Sequence, residues 1–462
     1  MESFRSLVTS GEAKLLLLCL TALSVIQHAQ AQVRVSPPEH WVSTWATSQP
    51  IGPTTTLGGG RGGPPGPQPQ PGVTPSGSPA PTPVQAPSAP SSAQPGRGRG
   101  PQMNAPATIN DQTVRMVVHA SIGGSRIRLE FSNALNGAPL EIGAARVALS
   151  NKNSAIVPGT DRSLTFSGKT SCVLGPGVLL YSDPVSLDVP AFSDLAVSIY
   201  LPKDTGPPTN HSLGMHTAQI SKGDTTTQTV MPEPVLTRAY LWLSAVDVIA
   251  PTDAFAVVAL GDSITDGQGT TVDANLNWTA VLAKRLAANK ATAHVAVLNQ
   301  GVAGNQVLRD LAGVSALARF DRDVLSRPGV KWLVVFEGIN DISLHGQPDS
   351  ADPLTSEDLI AAYRQLIARA HTYGIRVVGA TIGPQEGTRL GTPNADAIRN
   401  ATNQWIRTGG AFDAVVDLDA AVRDPGHPSR LRSDFDSGDH IHINDPGNQA
   451  MANAFDLAIF KK

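Results

Sequence analysis

The stretch from Val257 to Gly269 reads VVALGDSITDGQG. A run of buried-type residues stops at Gly261-Asp262-Ser263, and further glycines follow at 267 and 269. A strand that ends this way turns sharply and presents one hydroxyl at the turn. Taken alone, the three residues are ordinary turn chemistry. Whether Ser263 is a nucleophile or a turn residue depends on what the other strand ends carry.

Those strands are readable around it. After about Ala250, continuous apolar runs (AFAVVAL, VAVLN, WLVVFEG, RVVGATI and AVVDL) alternate with helical stretches. Trp278, Val281, Leu282 and Leu286 fall on one helix face, and Ser356 to Tyr373 opens with a serine and early acids. Continuous strands separated by amphipathic helices predict a parallel α/β sheet covered on both faces, with chemistry at the carboxyl ends of its strands.

Upstream the period is two. In RIRLEFS (Arg126 to Ser132), Ile127, Leu129 and Phe131 alternate with charged residues, and LAVSIYL (Leu195 to Leu201) does likewise. From Gln112 to about Tyr200 this predicts an antiparallel β-sandwich with one wet face. Between Ile51 and Pro101 about half the residues are Pro or Gly. Such a segment buries too little apolar surface to offset its ordering entropy, so a disordered insertion is expected. Its arginines 61, 97 and 99 also fit an RNA-binding tract, a reading that export disfavours.

The start reads as an export signal. Lys14 precedes the apolar run Leu15 to Ile26, and Ala29-Gln30-Ala31 follows. The run is shorter than the roughly 20 residues a spanning helix needs. Cleavage after about Ala31 predicts a secreted or periplasmic product without an integral membrane segment, whose only cysteine is Cys172. A formal net charge of -3 gives no electrostatic reason to expect nucleic acid.

Three further strand ends bear on Ser263. LNQGVAGN (Leu298 to Asn305) places glycines at 301 and 304, where backbone N–H groups can approach a ligand or simply turn the chain. FEGIND (Phe336 to Asp341) places Asn340 where it either caps the next helix or aims its amide at a developing oxyanion. In SGDHIHINDPGNQAMA (Ser437 to Ala452), Asp439 and His442 are three apart, so the carboxylate can reach one ring nitrogen and leave the other for the Ser263 proton. His440 points differently and reads as a neighbour; a metal reading of this Asp/His cluster lacks further ligands at zinc spacing. Serine catalysis needs a serine, a base, a carboxylate and oxyanion donors, and all four are present. The G-x-S-x-G elbow of ordinary α/β-hydrolases is absent.

At these residues the chain closely resembles the SGNH, or GDSL, hydrolase superfamily, whose four blocks carry Ser, Gly, Asn and His in this order. GDSITDG, GVAGN, GIND and DHIH match them, although His440 and Ile443 replace the usual Gly and Pro of the fourth. The resemblance implies a three-layer α/β/α, flavodoxin-like domain. It also implies a catalytic triad of Ser263, Asp439 and His442, and an oxyanion hole of Ser263, Gly304 and Asn340. WVSTWATS, QTVRMVVHASIGGSRIRLEFSN and SDPVSL upstream, with NQVLRD and RFDRDVL inside the hydrolase domain, resemble a subgroup with an N-terminal β-sandwich. That subgroup includes arylesterases or acylhydrolases encoded near xylan-degrading enzymes.

The domains expected are a signal peptide at 1–31, a β-sandwich-like domain at 32–248 with its insertion at 51–104, and the hydrolase domain at 249–462. The implied activity is an exported serine esterase, without metal or organic cofactor, acting on a small-molecule or polysaccharide ester. A lipase or arylesterase is the alternative enzyme, and a catalytically inactive carbohydrate-binding protein is the alternative of another class.

Overall fold

A computed structural model describes residues 39–50 and 104–461. The expected signal peptide and nearly all of the Pro/Gly-rich insertion lie outside the described residues.

Two antiparallel sheets form the N-terminal part. One pairs Trp41–Ala46, Leu243–Ile249 and Gly124–Ser132, with Leu179–Tyr181 and Val185–Val189 along the far side of the last. The other runs in the order Val235–Thr237, Ala218–Lys222, Gln112–His119, Asp194–Leu201, Ala144–Leu149, Arg162–Ser163. Met116, Val118 and Val197 of one sheet share an apolar cluster with Ile127, Leu129 and Val246 of the other. The period-two pattern is thus realised as expected.

The outer faces differ from the expectation of a wet surface. On the first sheet, Glu130 and Asp247 are buried; Glu130 pairs with Arg327 at 3.0 Å, and Asp247 accepts from Ser43 Oγ at 2.7 Å. Arg327 lies in the α/β part of the chain, so this polar face is covered by neighbouring structure. On the second sheet Arg115 is fully buried. It donates to Ser198 Oγ at 2.8 Å and to the carbonyls of Gln228 and Thr229 at 2.6 and 3.1 Å. Alternation records only that a side chain is polar; a polar face paired hydrogen bond by hydrogen bond can be buried as well.

The five parallel strands are β1 (Phe255–Gly261), β2 (Val295–Gly301), β3 (Val330–Phe336), β4 (Arg376–Ala380) and β5 (Ala414–Val416), in the order β2-β1-β3-β4-β5. That is the flavodoxin-like order, with its switch point beside β1. Both faces of β1 are buried. Ala256, Val258 and Leu260 pack with Phe320, Leu359 and Tyr363. Phe255, Val257 and Ala259 pack with Trp278, Leu282 and Phe455. Trp278 stacks on Phe455 with centroids 5.4 Å apart. The first of these clusters continues without a break into the sandwich.

Candidate active site

β1 ends at Gly261, and a one-turn helix, Ser263–Asp266, begins two residues later. Asp262 caps it, its Oδ1 accepting from the Ile264 N–H at 2.9 Å. Gly261 is required by close approach: a Cβ there would stand 2.1 Å from Thr265 Oγ1. The turn therefore holds Ser263 at the first helical position, where its N–H has no intrahelical acceptor.

Ser263 Oγ lies 2.9 Å from His442 Nε2, and His442 Nδ1 lies 2.8 Å from Asp439 Oδ2. Asp439 Oδ1 also accepts from the His442 backbone N–H at 2.9 Å. Burial raises the Asp439 carboxyl's affinity for its proton. The hydrogen bonds and charge of His442 outweigh that effect, and the group sits well below the usual carboxylate range. The loop that carries His442 is tied to the segment that continues from the Ser263 turn. Asp445 accepts from Thr271 N–H and Oγ at 2.8 and 2.6 Å, and Asn448 accepts from the Trp278 N–H at 2.9 Å. His440 is half-exposed and bonds Asp436 at 2.7 Å, away from the serine.

Gly304 follows β2 with φ of 80°, in the left-handed region that favours glycine. Asn340 lies in the first turn of helix Ile339–His345 after β3, and its Nδ2 donates to the Asn305 carbonyl at 2.9 Å. An amide nitrogen carries two hydrogens, so one remains after that bond. Among the described residues, the backbone N–H groups of Ser263 and Gly304 donate to no protein group.

Residues 259–450 match the family described as GDSL-like Lipase/Acylhydrolase. They are a GDSL domain. The chain is accordingly a carboxylic ester hydrolase. Several solved structures resemble the GDSL domain at low identity. An acetylxylan esterase from Geobacillus stearothermophilus is 21% identical with a TM-score of 0.34, over 45% of this chain and 95% of that one. The aryl esterase of M. smegmatis is 15% identical with a TM-score of 0.35, over 44% and 96%. A carbohydrate acetylesterase from Sinorhizobium meliloti is 14% identical with a TM-score of 0.34, over 43% and 95%. No curated protein matches the chain.

Behind the serine, the GDSL domain buries three acids that sequence reasoning did not single out as a group. Asp262 is pushed up to about 7, chiefly by burial and further by Asp341. Asp341 is pushed up to about 6, again by burial, although it accepts from the Val307 and Leu308 N–H groups at 2.8 and 3.1 Å. Glu337 lies well above the usual range through burial and the nearby Asp262. The cation that faces it is Arg319, whose Nη2 stands at 3.5 Å, too long for a hydrogen bond.

An acid whose folded-state value lies above its unfolded one, about 3.9 for Asp, binds the extra proton only in the folded state. Folding stability therefore falls as pH rises from about 4 through the folded value near 7. Asp262→Asn removes that loss and keeps an oxygen to cap Ile264. Its melting temperature relative to the parent is expected to rise from pH 5 to pH 8, by several degrees. Parallel melting curves with a constant offset would show that Asp262 does not titrate in this range.

A second buried pair was also missed. His211 Nε2 meets Asp266 Oδ1 at 2.9 Å, while His211 Nδ1 meets the Ser48 carbonyl at 2.7 Å. Asp266 Oδ2 accepts from the Ala303 N–H at 3.2 Å, one residue before Gly304. The only signal in the sequence was the Asp that closes GDSITD. Cys172 is half-buried and free, its thiol pushed up to about 12 by burial, which leaves it unreactive. Among the described residues no helix is long and apolar enough to cross a membrane.

Proposed function

We propose that the protein is an exported serine esterase that removes acetyl or other short acyl groups from carbohydrate. The observation that carries the reading is the unbroken hydrogen-bond path from Ser263 Oγ through His442 to Asp439. Asp439 holds the proton on His442 Nδ1, which leaves the Nε2 lone pair facing the serine. Ser263 Oγ attacks the ester carbonyl carbon as its proton passes to His442 Nε2. The tetrahedral oxyanion is met by the N–H groups of Ser263 and Gly304 and by Asn340 Nδ2. Collapse expels the alcohol, which takes the proton from His442. Water, deprotonated by the same nitrogen, then attacks the acyl-enzyme and releases the acid with Ser263 restored. The chemistry asks for no metal or organic cofactor.

Export is supported by the N-terminal Lys14, the apolar run to Ile26 and the Ala29-Gln30-Ala31 that follows. The short-acyl assignment rests on the resemblance of the upstream segments to the xylan-associated subgroup. A series of p-nitrophenyl esters tests it beside acetylated xylan. kcat/KM is expected to fall at least about tenfold from acetate to palmitate, with acetate released from the polysaccharide. Rates that climb with chain length would support the lipase reading instead.

A further inference from the structure

Helix Ala316–Phe320 begins the RFDRDVL stretch and runs straight into a single π-turn, Asp321–Leu325. Its Arg319 is almost wholly buried, with 1% of the side chain exposed. Every edge of the guanidinium is engaged. Nη2 donates to the Gly261 carbonyl at 2.9 Å, at the end of β1 and two residues before Ser263. Nη1 donates to the Gln300 carbonyl at 2.7 Å, near the end of β2, and to Ser48 Oγ at 2.8 Å. Nε donates to Asn305 Oδ1 at 2.9 Å. Asn305 follows Gly304 directly, and its carbonyl is the acceptor that holds Asn340. Nη2 also faces Glu337 at the end of β3. The charge is matched by Asp323, one turn on, at 3.2 Å.

We propose that Arg319 is the positioning residue of the oxyanion hole, fixing with one rigid fork the ends of β1 and β2 and, through Asn305, the Asn340 amide after β3. This rests on the esterase reading above. The three donors come from three separate βα loops, and loops set independently would not converge within the fraction of an ångström that oxyanion stabilisation needs. A planar group with five N–H donors can reference the first two loops to each other directly and the third through Asn305, whereas an ammonium is a point charge without that geometry. Ser48 extends the reference to the segment after Trp41–Ala46. Its hydroxyl also donates to Asp323 at 2.8 Å, and its carbonyl meets His211, which bonds the Asp266 at the end of the nucleophile helix.

Arg319→Lys keeps the buried charge opposite Asp323 and Glu337 but cannot span Gly261, Gln300 and Asn305. For p-nitrophenyl acetate, kcat is expected to fall on the order of 10²-fold, with KM within about threefold and the pH midpoint of kcat/KM unchanged. In the Asn340→Ala background the same change is expected to cost less than about threefold more, because both act through one hole. A kcat within about threefold of the parent overturns the proposal, as do effects that multiply in full. Should Arg319→Lys fail to fold by thermal melting, Asn305→Ala replaces it in the same cycle with Asn340→Ala. Less-than-multiplicative losses there support the proposal, and full multiplication overturns it. Ser263→Ala run alongside separates the two readings. If it retains parent activity, the Ser263 mechanism on which the proposal rests fails; if it is inactive while Arg319→Lys is not impaired, only the positioning role fails.

Discussion

Ser263→Ala lowers kcat/KM for p-nitrophenyl acetate by on the order of 10⁴-fold or more, with an unchanged melting curve. The expectation follows from its place in the turn. The hydroxyl is the one group whose oxygen is 2.9 Å from His442 Nε2. Its loss removes the covalent path and leaves whatever the oxyanion donors contribute to attack by water. Stability is spared because the helix is capped by Asp262 and the turn is shaped by Gly261, neither of which needs the serine oxygen. Background-level rates in parent and variant alike would sink the proposed mechanism for this short-acyl ester. A variant as active as the parent would show that another group carries the reaction.

Asp439→Asn lowers kcat by on the order of 10³–10⁴-fold near neutral pH, with a much smaller change in KM. The substituted amide matches the carboxylate in shape but can present a donor to His442 Nδ1. The ring then keeps its proton on Nε2, facing a serine that needs an acceptor. The pH sign is opposite to that of Asp262. Asp439 is held below its usual range, so its contribution to stability is present above the unfolded value of about 3.9 and is lost as pH falls through the folded one. Removing this charge therefore costs stability at neutral pH, where removing the Asp262 charge adds it. Steady-state kinetics with melting curves at two pH values check both. A kcat within tenfold of the parent would mean that Asp439 is not what orients His442.

Most of the parallel sheet was legible because buried parallel strands have no polar alternation to hide them. AFAVVAL and WLVVFEG read as strands and are strands, Phe255–Gly261 and Val330–Phe336. The five candidate residues were picked out for another reason. Each follows a strand or sits in the loop before helix Asp445–Asn453, and strand ends in such sheets converge on one edge. His442 and Ser263 are 179 positions apart, yet a three-residue Asp-to-His spacing marked the one and a Gly-Asp-Ser turn the other.

The buried polar groups were not legible. Arg319 and Glu337 are ordinary charged residues in sequence, and nothing in RFDRDVL or FEGIND marks them as nearly or fully buried. Glu130 and Arg128 were placed together on a wet face, yet Glu130 is buried against Arg327 almost two hundred residues away. Burial of a charge depends on a partner that can come from any point of the chain, so no local window contains the information.

The sequence by itself determined which elements exist and which residues stand at the strand ends, because hydrophobic period and turn chemistry act over a few residues. Only the tertiary structure decided how those ends are held at one distance from one another. The groups that hold them, Arg319 at Gly261, Gln300 and Asn305, and His211 between Ser48 and Asp266, bond across separations of 14 to 163 positions. A hydrogen bond is fixed by distance and angle in space, and those are set when the whole chain has packed.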